Sequence, residues 1–376
     1  MMNKAYVVII GGGVTGCSIA YNLAKKGIKD IIVLERKYLS YGATGRCGAG
    51  IRQQWGTHQN CILSTESIKI FENMNEILQT KRDIELKQKG YLLLAYSEKE
   101  LKQFKKNIEI QHEHNIPSTL VTPEEAKEIV PMLNTENIIG GAFCPTDGHA
   151  NPFLVNQAYA DAAKRLGVKF IKAEALGIKK KESKIIGVET NKGFIETTRV
   201  VNAAGSWSKE IGSMVGIDLP VYSEVHEILA TEPVKPILNP MVMSFSHNFY
   251  CQQTPHGSFI MGMSPIEKVK DVSWQFLERM TKKISTLLPP TKNLRIVRQW
   301  SGYYNISPDK QPIVCESEEI EGFYMAIGFS GHGFMLSPAV GILMSNIILK
   351  EKLQWDVTLD IGRFKRKEII EEPSVV

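Results

Sequence analysis

Three features of this 376-residue sequence predict an α/β fold, in which a Rossmann-like parallel-sheet domain is joined to a second region of antiparallel strands. The first is a strand–glycine–helix–strand pattern in the opening thirty-five residues. The second is length, because a chain of this size exceeds what one hydrophobic core usually organises, so two intertwined domains are expected. The third is residues 220–265, where short apolar runs alternate with Pro, Gly and Asn in the manner of antiparallel strands.

The opening pattern is the most specific of the three. Tyr6–Ile10 is an apolar, β-branched run that leads into Gly11, Gly12, Gly13, Val14, Thr15 and Gly16. A helix from Cys17 to Lys26 follows, then a second apolar run at Ile31–Leu34 that ends in Glu35. Each part has a physical task in dinucleotide binding: Gly11 permits the tight turn, Gly13 offers no side chain to obstruct a pyrophosphate, and Gly16 lets the helix lie on the sheet. The helix N-terminus presents unpaired N–H groups to phosphate. Glu35 can accept hydrogen bonds from a ribose.

Composition narrows the class. The chain is 43% apolar and 23% charged, with a net charge of +5, as in an ordinary globular protein. The run Lys179-Lys180-Lys181 sits between two β-like segments and reads as a solvated hairpin tip, not a nucleic-acid patch. The six cysteines (17, 47, 61, 144, 251 and 315) show neither a CxxC pair nor metal spacing, so no metal is expected and a reducing cytoplasm fits. No run reaches the roughly twenty apolar residues of a membrane span. Cytoplasmic location is expected, with peripheral membrane attachment left open.

Further along, residues 58–78 and 97–115 read as helices, Gly90–Ala95 as a strand, and Thr122 with Glu125 as a capping box. Asn151-Pro152 starts a helix reaching about Leu166. Val168–Ala175, Ile185–Thr190 and Phe194–Ala203 read as a three-stranded meander that opens into Ala203, Ala204, Gly205, Ser206 and Trp207. Ser273 can cap a helix through Leu288. The strand Phe323–Ile327 opens into Gly328, Phe329, Ser330, Gly331, His332, Gly333 and Phe334, before a helix from about Ser337 to Leu349. Its N-terminus is a second place to stabilise negative charge. Two arginines, Arg46 and Arg52, stand in a glycine-rich stretch where an anion can reach them.

These residues resemble the FAD-dependent amino-acid and amine oxidoreductases, the family of D-amino-acid oxidase, glycine oxidase and sarcosine oxidase. The resemblance covers nearly the whole chain. It rests on the fingerprint with Glu35-Arg36, the Gly42-Ala43-Thr44 loop, Asn202-Ala203-Ala204-Gly205, and the 328–333 segment. It is strongest toward the β subunits of dye-linked L-proline dehydrogenase and heteromeric sarcosine oxidase. There it is carried by Arg46-Cys47-Gly48, the Gly50–Gln54 stretch, Pro145-Thr146-Asp147-Gly148 and Trp300-Ser301-Gly302-Tyr303-Tyr304.

The resemblance implies a FAD domain from residues 1–87, 148–217 and 320–376 and a substrate domain from 88–147 and 218–319. It implies contacts to FAD from the fingerprint residues, Glu35, Arg36, Gly42, Ala43, Thr44, Arg46, Gly48, Ala49 and Gly50, and from the Leu176 backbone beside adenine. Ala203, Ala204, Gly205, Trp207, Gly302, Tyr303, Gly328, Ser330, Gly331, His332, Gly333, Phe334 and Met335 complete that set. For the chemistry it implies Arg52 and Tyr250 at a substrate carboxylate, His226 facing substrate, and the loop of His332 under the flavin ring. Gly302 matches the cysteine that bonds flavin covalently in monomeric sarcosine oxidases, so the FAD is expected to be noncovalent. Pro152 matches the histidine that bonds FMN in heteromeric sarcosine oxidase, which leaves only noncovalent FMN at a subunit interface open. Ile260 and Met335 stand where relatives carry oxygen-activating lysines, which favours a dehydrogenase that passes electrons to another acceptor. The expected reaction is oxidation of the C–N bond of a small amino or imino acid of the L-proline or sarcosine type, by hydride transfer to flavin N5, with partner subunits as candidates. Its rivals are a glycine or D-amino-acid oxidase making peroxide, an NAD-dependent dehydrogenase using the same fingerprint, and a non-catalytic FAD-holding subunit.

Overall fold

The computed structural model describes residues 4–264, 271–352 and 355–374. Among them, the opening run forms the strand Val7–Ile10 at the centre of a six-stranded sheet. The sheet order is Ile313–Glu316, Phe323–Ile327, Val200–Asn202, Val7–Ile10, Ile31–Glu35 and Lys169–Lys172. All neighbours are parallel except the first pair. The central strands are buried on both faces, which is why they read as unbroken apolar runs. Helix Val14–Lys25 packs between helices Pro152–Arg165 and Gly333–Leu349 on one face. Gly16 makes the helix–turn contact feasible: a Cβ there would stand 2.1 Å from the Gly11 carbonyl oxygen.

A second sheet of eight strands runs Ile296–Ile306, Tyr222–Thr231, Phe259–Met263, Phe249–Gln253, Met241–Ser244, Tyr91–Ala95, Gly140–Cys144 and Thr119–Val121. Every pairing is antiparallel except Met241–Ser244 with Tyr91–Ala95. One face packs on helix Trp274–Leu287, capped by the Ser273 hydroxyl as its sequence suggests. The Thr122–Glu125 capping box and the Asn151 cap are both present.

Two expectations need correction. The meander of three consecutive runs is in fact divided between two sheets. Lys169–Lys172 is the edge of the parallel sheet, and Val200–Asn202 lies inside it. The true three-stranded sheet is Ala175–Lys181, Lys184–Thr190 and Gly193–Glu196. The chain changes sheets at one peptide: the Ala173 N–H still donates to Glu35 O, whereas the Glu174 N–H donates to the Asn191 side chain. An alternating run reveals that it is a strand but not its partner. The lysine run does lie at the exposed end of the hairpin, where Lys179 pairs with Glu189 at 3.0 Å.

The last helix starts at Gly333, four residues before the expected Ser337, and carries Pro338 inside it. Proline removes a backbone donor. The Ser337 hydroxyl donates to Phe334 O at 2.8 Å instead, so the helix crosses the proline with that carbonyl satisfied. The segment 328–333 therefore delivers its backbone directly to a helix N-terminus. Among the described residues, no helix is long and apolar enough to cross a membrane, and no cluster of His, Cys, Asp or Glu is arranged to hold a metal.

Candidate active site

A long groove opens where the two sheets meet. One end is the fingerprint loop. Gly11 has φ +122°, and a Cβ on it would lie 2.3 Å from Ala203 O, so the turn requires glycine. Gly13 faces open space apart from Thr44 Oγ1, which accepts a hydrogen bond from Val14 N at 3.0 Å. Glu35 is oriented by the N–H groups of Gly12 (3.0 Å) and Lys37 (2.8 Å), one on each carboxylate oxygen. Each oxygen keeps a lone pair for a ribose. At the outer end Arg36 lies 4.3 Å over the Trp207 ring and 3.4 Å from Glu174, and Tyr41 stacks beyond Trp207. Val14, Thr15, Gly42, Ala43, Arg46, Ala203, Ala204, Gly205, Gly302, Tyr303, Gly331, Gly333 and Phe334 line the same groove.

A two-part dinucleotide fits this shape on three observations. The fingerprint loop forms a cradle with no side chain at Gly13, an acid sits at the ribose position, and a second helix N-terminus at Gly333 closes the far end. Three expected contacts line neither this groove nor the smaller pocket that continues from it. Leu176 is 59% exposed, and the neighbouring Ala173, Glu174 and Ala175 face the groove instead. Gly16 serves helix packing. Gly328 makes a turn at φ +68°, its N–H bonded to Asn305 Oδ1 at 2.8 Å.

A smaller pocket continues from the far end, sharing Cys47, Tyr250, Tyr304, Gly331 and Phe334 with the groove. Gly48, Ala49, Gly50, Arg52, Ser330, His332 and Met335 line only this pocket, together with Trp55, Tyr91, Met241 and Met243. Arg52 is 4% exposed and lies 4.0 Å over the Trp55 ring. Its Nη1 donates to Gln54 O at 2.9 Å and its Nη2 to Ser374 O. Among the described residues no carboxylate lies within ion-pair distance of it. The contrast is Arg363, equally buried, which is forked onto Asp309 at 2.7 and 3.0 Å. Burial lowers the Arg52 pKa, with Tyr91, Glu372 and Asp147 opposing. A buried cation held by neutral carbonyls is poised for an anionic ligand.

Behind Arg52 the two sequence motifs Arg52-Gln53-Gln54 and Thr146-Asp147-Gly148 come together. Asp147 accepts from Gln53 N at 2.8 Å and from Gln54 Nε2 at 2.9 Å. Burial nonetheless drives its carboxyl up to about 7. Cys47 donates to Thr44 O at 3.1 Å, and burial pushes its thiol up to about 12, so it stays protonated and a poor nucleophile.

Three tyrosines wall the junction. The Tyr250 ring is sandwiched by glycines: a Cβ on Gly48 or Gly262 would approach it to 2.6 or 2.3 Å. Tyr304 lies as tightly over Gly331, at 2.4 Å. Burial raises the pKa of Tyr250, with Tyr304 and Cys47 adding to it, and burial likewise raises those of Tyr91 and Tyr304. All three phenols therefore stay protonated and able to donate. His226 stacks on Tyr304 at 3.7 Å and meets Ser264 Oγ through Nδ1 at 2.9 Å. Its Nε2 lies 3.3 Å from a Glu224 carboxylate oxygen, a contact that holds the Glu224 carboxyl below its usual value. It lines the groove rather than the Arg52 pocket.

His332 is 2% exposed, packs 4.8 Å from Trp55, and among the described residues no geometrically sound hydrogen bond reaches either ring nitrogen. Burial, and then the charge of Arg52, depress its pKa to about 3. The folded protein thus favours neutral imidazole, while the unfolded chain takes up a proton below its ordinary value near 6.5. Stability on this account is full above pH 6.5 and is lost as pH falls toward 3. His332→Gln is expected to flatten that part of the stability–pH curve in denaturant titrations, and an unchanged slope would contradict the assignment.

Several site residues carried no signal of their own in the sequence. Tyr91 sits in an apolar strand and reads as core, Trp55 as an ordinary helix-flanking aromatic, and Met241 and Met243 as strand filler. Tyr304 falls inside a motif already singled out, and its neighbour Tyr303 lines the outer groove.

Comparison with known proteins agrees with this geometry. The model of the FAD dependent oxidoreductase family (DAO) matches residues 6–347. The structure resembles that of L-proline dehydrogenase from P. horikoshii, with 40% identity, TM-score 0.92, and 98% of this chain and 100% of that one covered. Dimethylglycine dehydrogenase of Rattus norvegicus mitochondria is 29% identical over 96% of this chain. The chain spans only 45% of that protein's length. Sarcosine oxidase subunit beta of Rhodobacter capsulatus is 25% identical, over 97% of this chain and 90% of that subunit. The chain belongs to the FAD-dependent oxidoreductase family.

Proposed function

We propose that this FAD-dependent oxidoreductase is a dehydrogenase for a small amino or imino acid of the L-proline or sarcosine type, oxidising its C–N bond. The observation that carries the reading is Arg52: a buried, carboxylate-free guanidinium in a pocket continuous with the cofactor groove. The similarity to L-proline dehydrogenase and to a sarcosine oxidase subunit supports the substrate class. In this reading the residues facing the groove, from Gly13 and Glu35 to Gly331 and Phe334, hold FAD, which when bound supplies the hydride-accepting chemistry.

The chain's own residues do the rest. Arg52 takes the substrate carboxylate, with the protonated phenols of Tyr250 and Tyr304 in reach as further donors. Met241, Met243 and Trp55 receive the aliphatic part. The amine must shed its extra proton before its carbon can give up hydride. A dry pocket that already contains a guanidinium disfavours an ammonium ion and so favours the neutral amine. Neutral His332 adds no second cation. The N-terminus of helix Gly333–Leu349 stabilises negative charge that develops at the junction.

The charged side chains lining groove and pocket are Glu35, Arg36, Arg46, Arg52, Glu174 and Glu210, with no lysine among the described lining residues. This supports transfer of electrons to an acceptor other than oxygen, through a partner subunit as the similarity to a β subunit suggests. The test is to add L-proline, sarcosine, glycine and D-amino acids in turn to the flavin-loaded protein without air. L-Proline or sarcosine is expected to bleach the flavin, and admitted air to restore it far more slowly than an artificial dye. Bleaching by glycine alone with immediate peroxide would replace this reading by an oxidase. No bleaching by any amine would leave a flavin-holding subunit.

A further inference from the structure

We propose that the segment 370–374 positions Arg52 for the substrate carboxylate, with Glu372 as the positioning residue. This rests on the reading of Arg52 given above. Glu372 has no exposed surface. Its carboxylate accepts four hydrogen bonds: from Gly56 N at 2.9 Å, Thr57 Oγ1 at 2.7 Å, Asn60 Nδ2 at 2.9 Å and Ser374 N at 3.0 Å. Helix His58–Glu72 has no cap from the side chain of its own N-cap residue, Thr57. Glu372 lies beside that N-terminus, bonded to Gly56 N and to the side chains of Thr57 and Asn60, and an anion is favoured there.

The segment is fixed on both sides. Glu372 N donates to Asp309 O at 3.0 Å, and Asp309 is held by Arg363. The Pro373 ring lies against Gly56, where a Cβ would stand 2.4 Å from Pro373 Cγ. Asn107 Nδ2 donates to Ser374 Oγ at 3.0 Å. The product of these contacts is one placed atom, the Ser374 carbonyl oxygen that accepts from Arg52 Nη2. With Gln54 O on Nη1, it holds two corners of the guanidinium against Trp55. Both holding groups are neutral, so Arg52 is oriented without being neutralised. Its remaining N–H groups stay available to a carboxylate. Glu372 is satisfied by four other donors and forms no ion pair with the arginine.

Charge and geometry predict opposite signs for loss of Glu372, which makes the inference testable. Its negative charge acts on Arg52. Removing only the charge would tighten binding of an anion, whereas releasing the Ser374 carbonyl would loosen it. Glu372→Gln keeps the size but offers a single acceptor oxygen to donors that now occupy two. Pro373→Gly keeps every hydrogen bond and the charge, and only loosens the segment.

The experiment titrates cyclopentanecarboxylate into the flavin-loaded full-length chain and follows the flavin absorbance, which needs no turnover. Binding is expected to weaken about tenfold in Glu372→Gln and about threefold in Pro373→Gly, as for a misplaced binding group. In an Arg52→Met background Glu372→Gln is expected to add nothing, since residues acting through one another are not additive. Should Glu372→Gln fail to retain flavin, Pro373→Gly carries the test. Unchanged or tighter binding in the segment variants, while Arg52→Met weakens it, would overturn this inference alone, as would a full additive loss in the double variant. Unchanged binding in Arg52→Met itself would overturn the substrate reading and this inference together.

Discussion

Arg52→Met is expected to lower kcat/KM for a carboxylate-bearing amine by about 10²-fold or more, since each charge-assisted hydrogen bond contributes on the order of 1.5–3 kcal/mol. Most of that loss is expected in KM, because the carboxylate does not change charge during the reaction. Pyrrolidine, which has the ring and amine but no carboxylate, serves as the control and is expected to change little. Methionine is unbranched and fills the space over Trp55, so the pocket keeps its shape. It leaves the carbonyls of Gln54 and Ser374 without their donor, at a cost of about 1–3 kcal/mol each if they stay dry. Melting must therefore be measured beside kinetics. Arg52→Lys keeps the charge and loses the fork, and is expected to fall between the two proteins. Equal kinetics for proline-type substrates in Arg52→Met would remove the arginine from the site.

How much of this arrangement was visible in the sequence depends on how local each feature is. The fingerprint loop was legible because its turn, helix and acid all lie within one βαβ unit, and each glycine answers to a contact inside that unit. Arg52 stood out in the sequence as a candidate for an anion because glycines surround it. Its lack of a carboxylate partner was not, since Ser374 and Glu372 come from more than three hundred residues away. Leu176 was named for its backbone beside the adenine, and its side chain is exposed. In a strand the side-chain period is two, so the side chain that faces the groove is that of the preceding Ala175. The start of the last helix was read too late because Pro338 looks like a boundary, and only the Ser337 hydroxyl shows how the helix passes it. Tyr91, Tyr250 and Tyr304 come from three separate strands, and only the folded sheet brings their hydroxyl ends to one junction.

The same alanine substitution at two positions of the fingerprint loop is expected to have opposite consequences, and the pair separates folding from cofactor binding. At Gly11 the backbone sits at φ +122°, and the new methyl would stand 2.3 Å from the Ala203 carbonyl oxygen. That oxygen belongs to a buried strand end and cannot give way. Backbone strain of about 1–3 kcal/mol adds to the clash. Gly11→Ala is therefore expected to lower the Tm of the flavin-stripped protein by roughly 5 °C or more, with flavin lost as a consequence. At Gly13 φ is −78°, and among the described residues beyond its chain neighbours the new methyl would meet just Thr44 Oγ1, at 3.2 Å. Gly13→Ala is expected to leave the stripped protein's Tm within about 2 °C of the parent. Its methyl would occupy the space through which the pyrophosphate must pass, so FAD affinity is expected to fall by about 10²-fold, the loss of roughly 2.7 kcal/mol. Calorimetric melting of stripped protein and titration with FAD measure the two quantities independently. If Gly13→Ala melts as the parent and still binds FAD as tightly, the cofactor does not lie against the fingerprint loop. If Gly11→Ala melts as the parent, the turn has room that the geometry denies it.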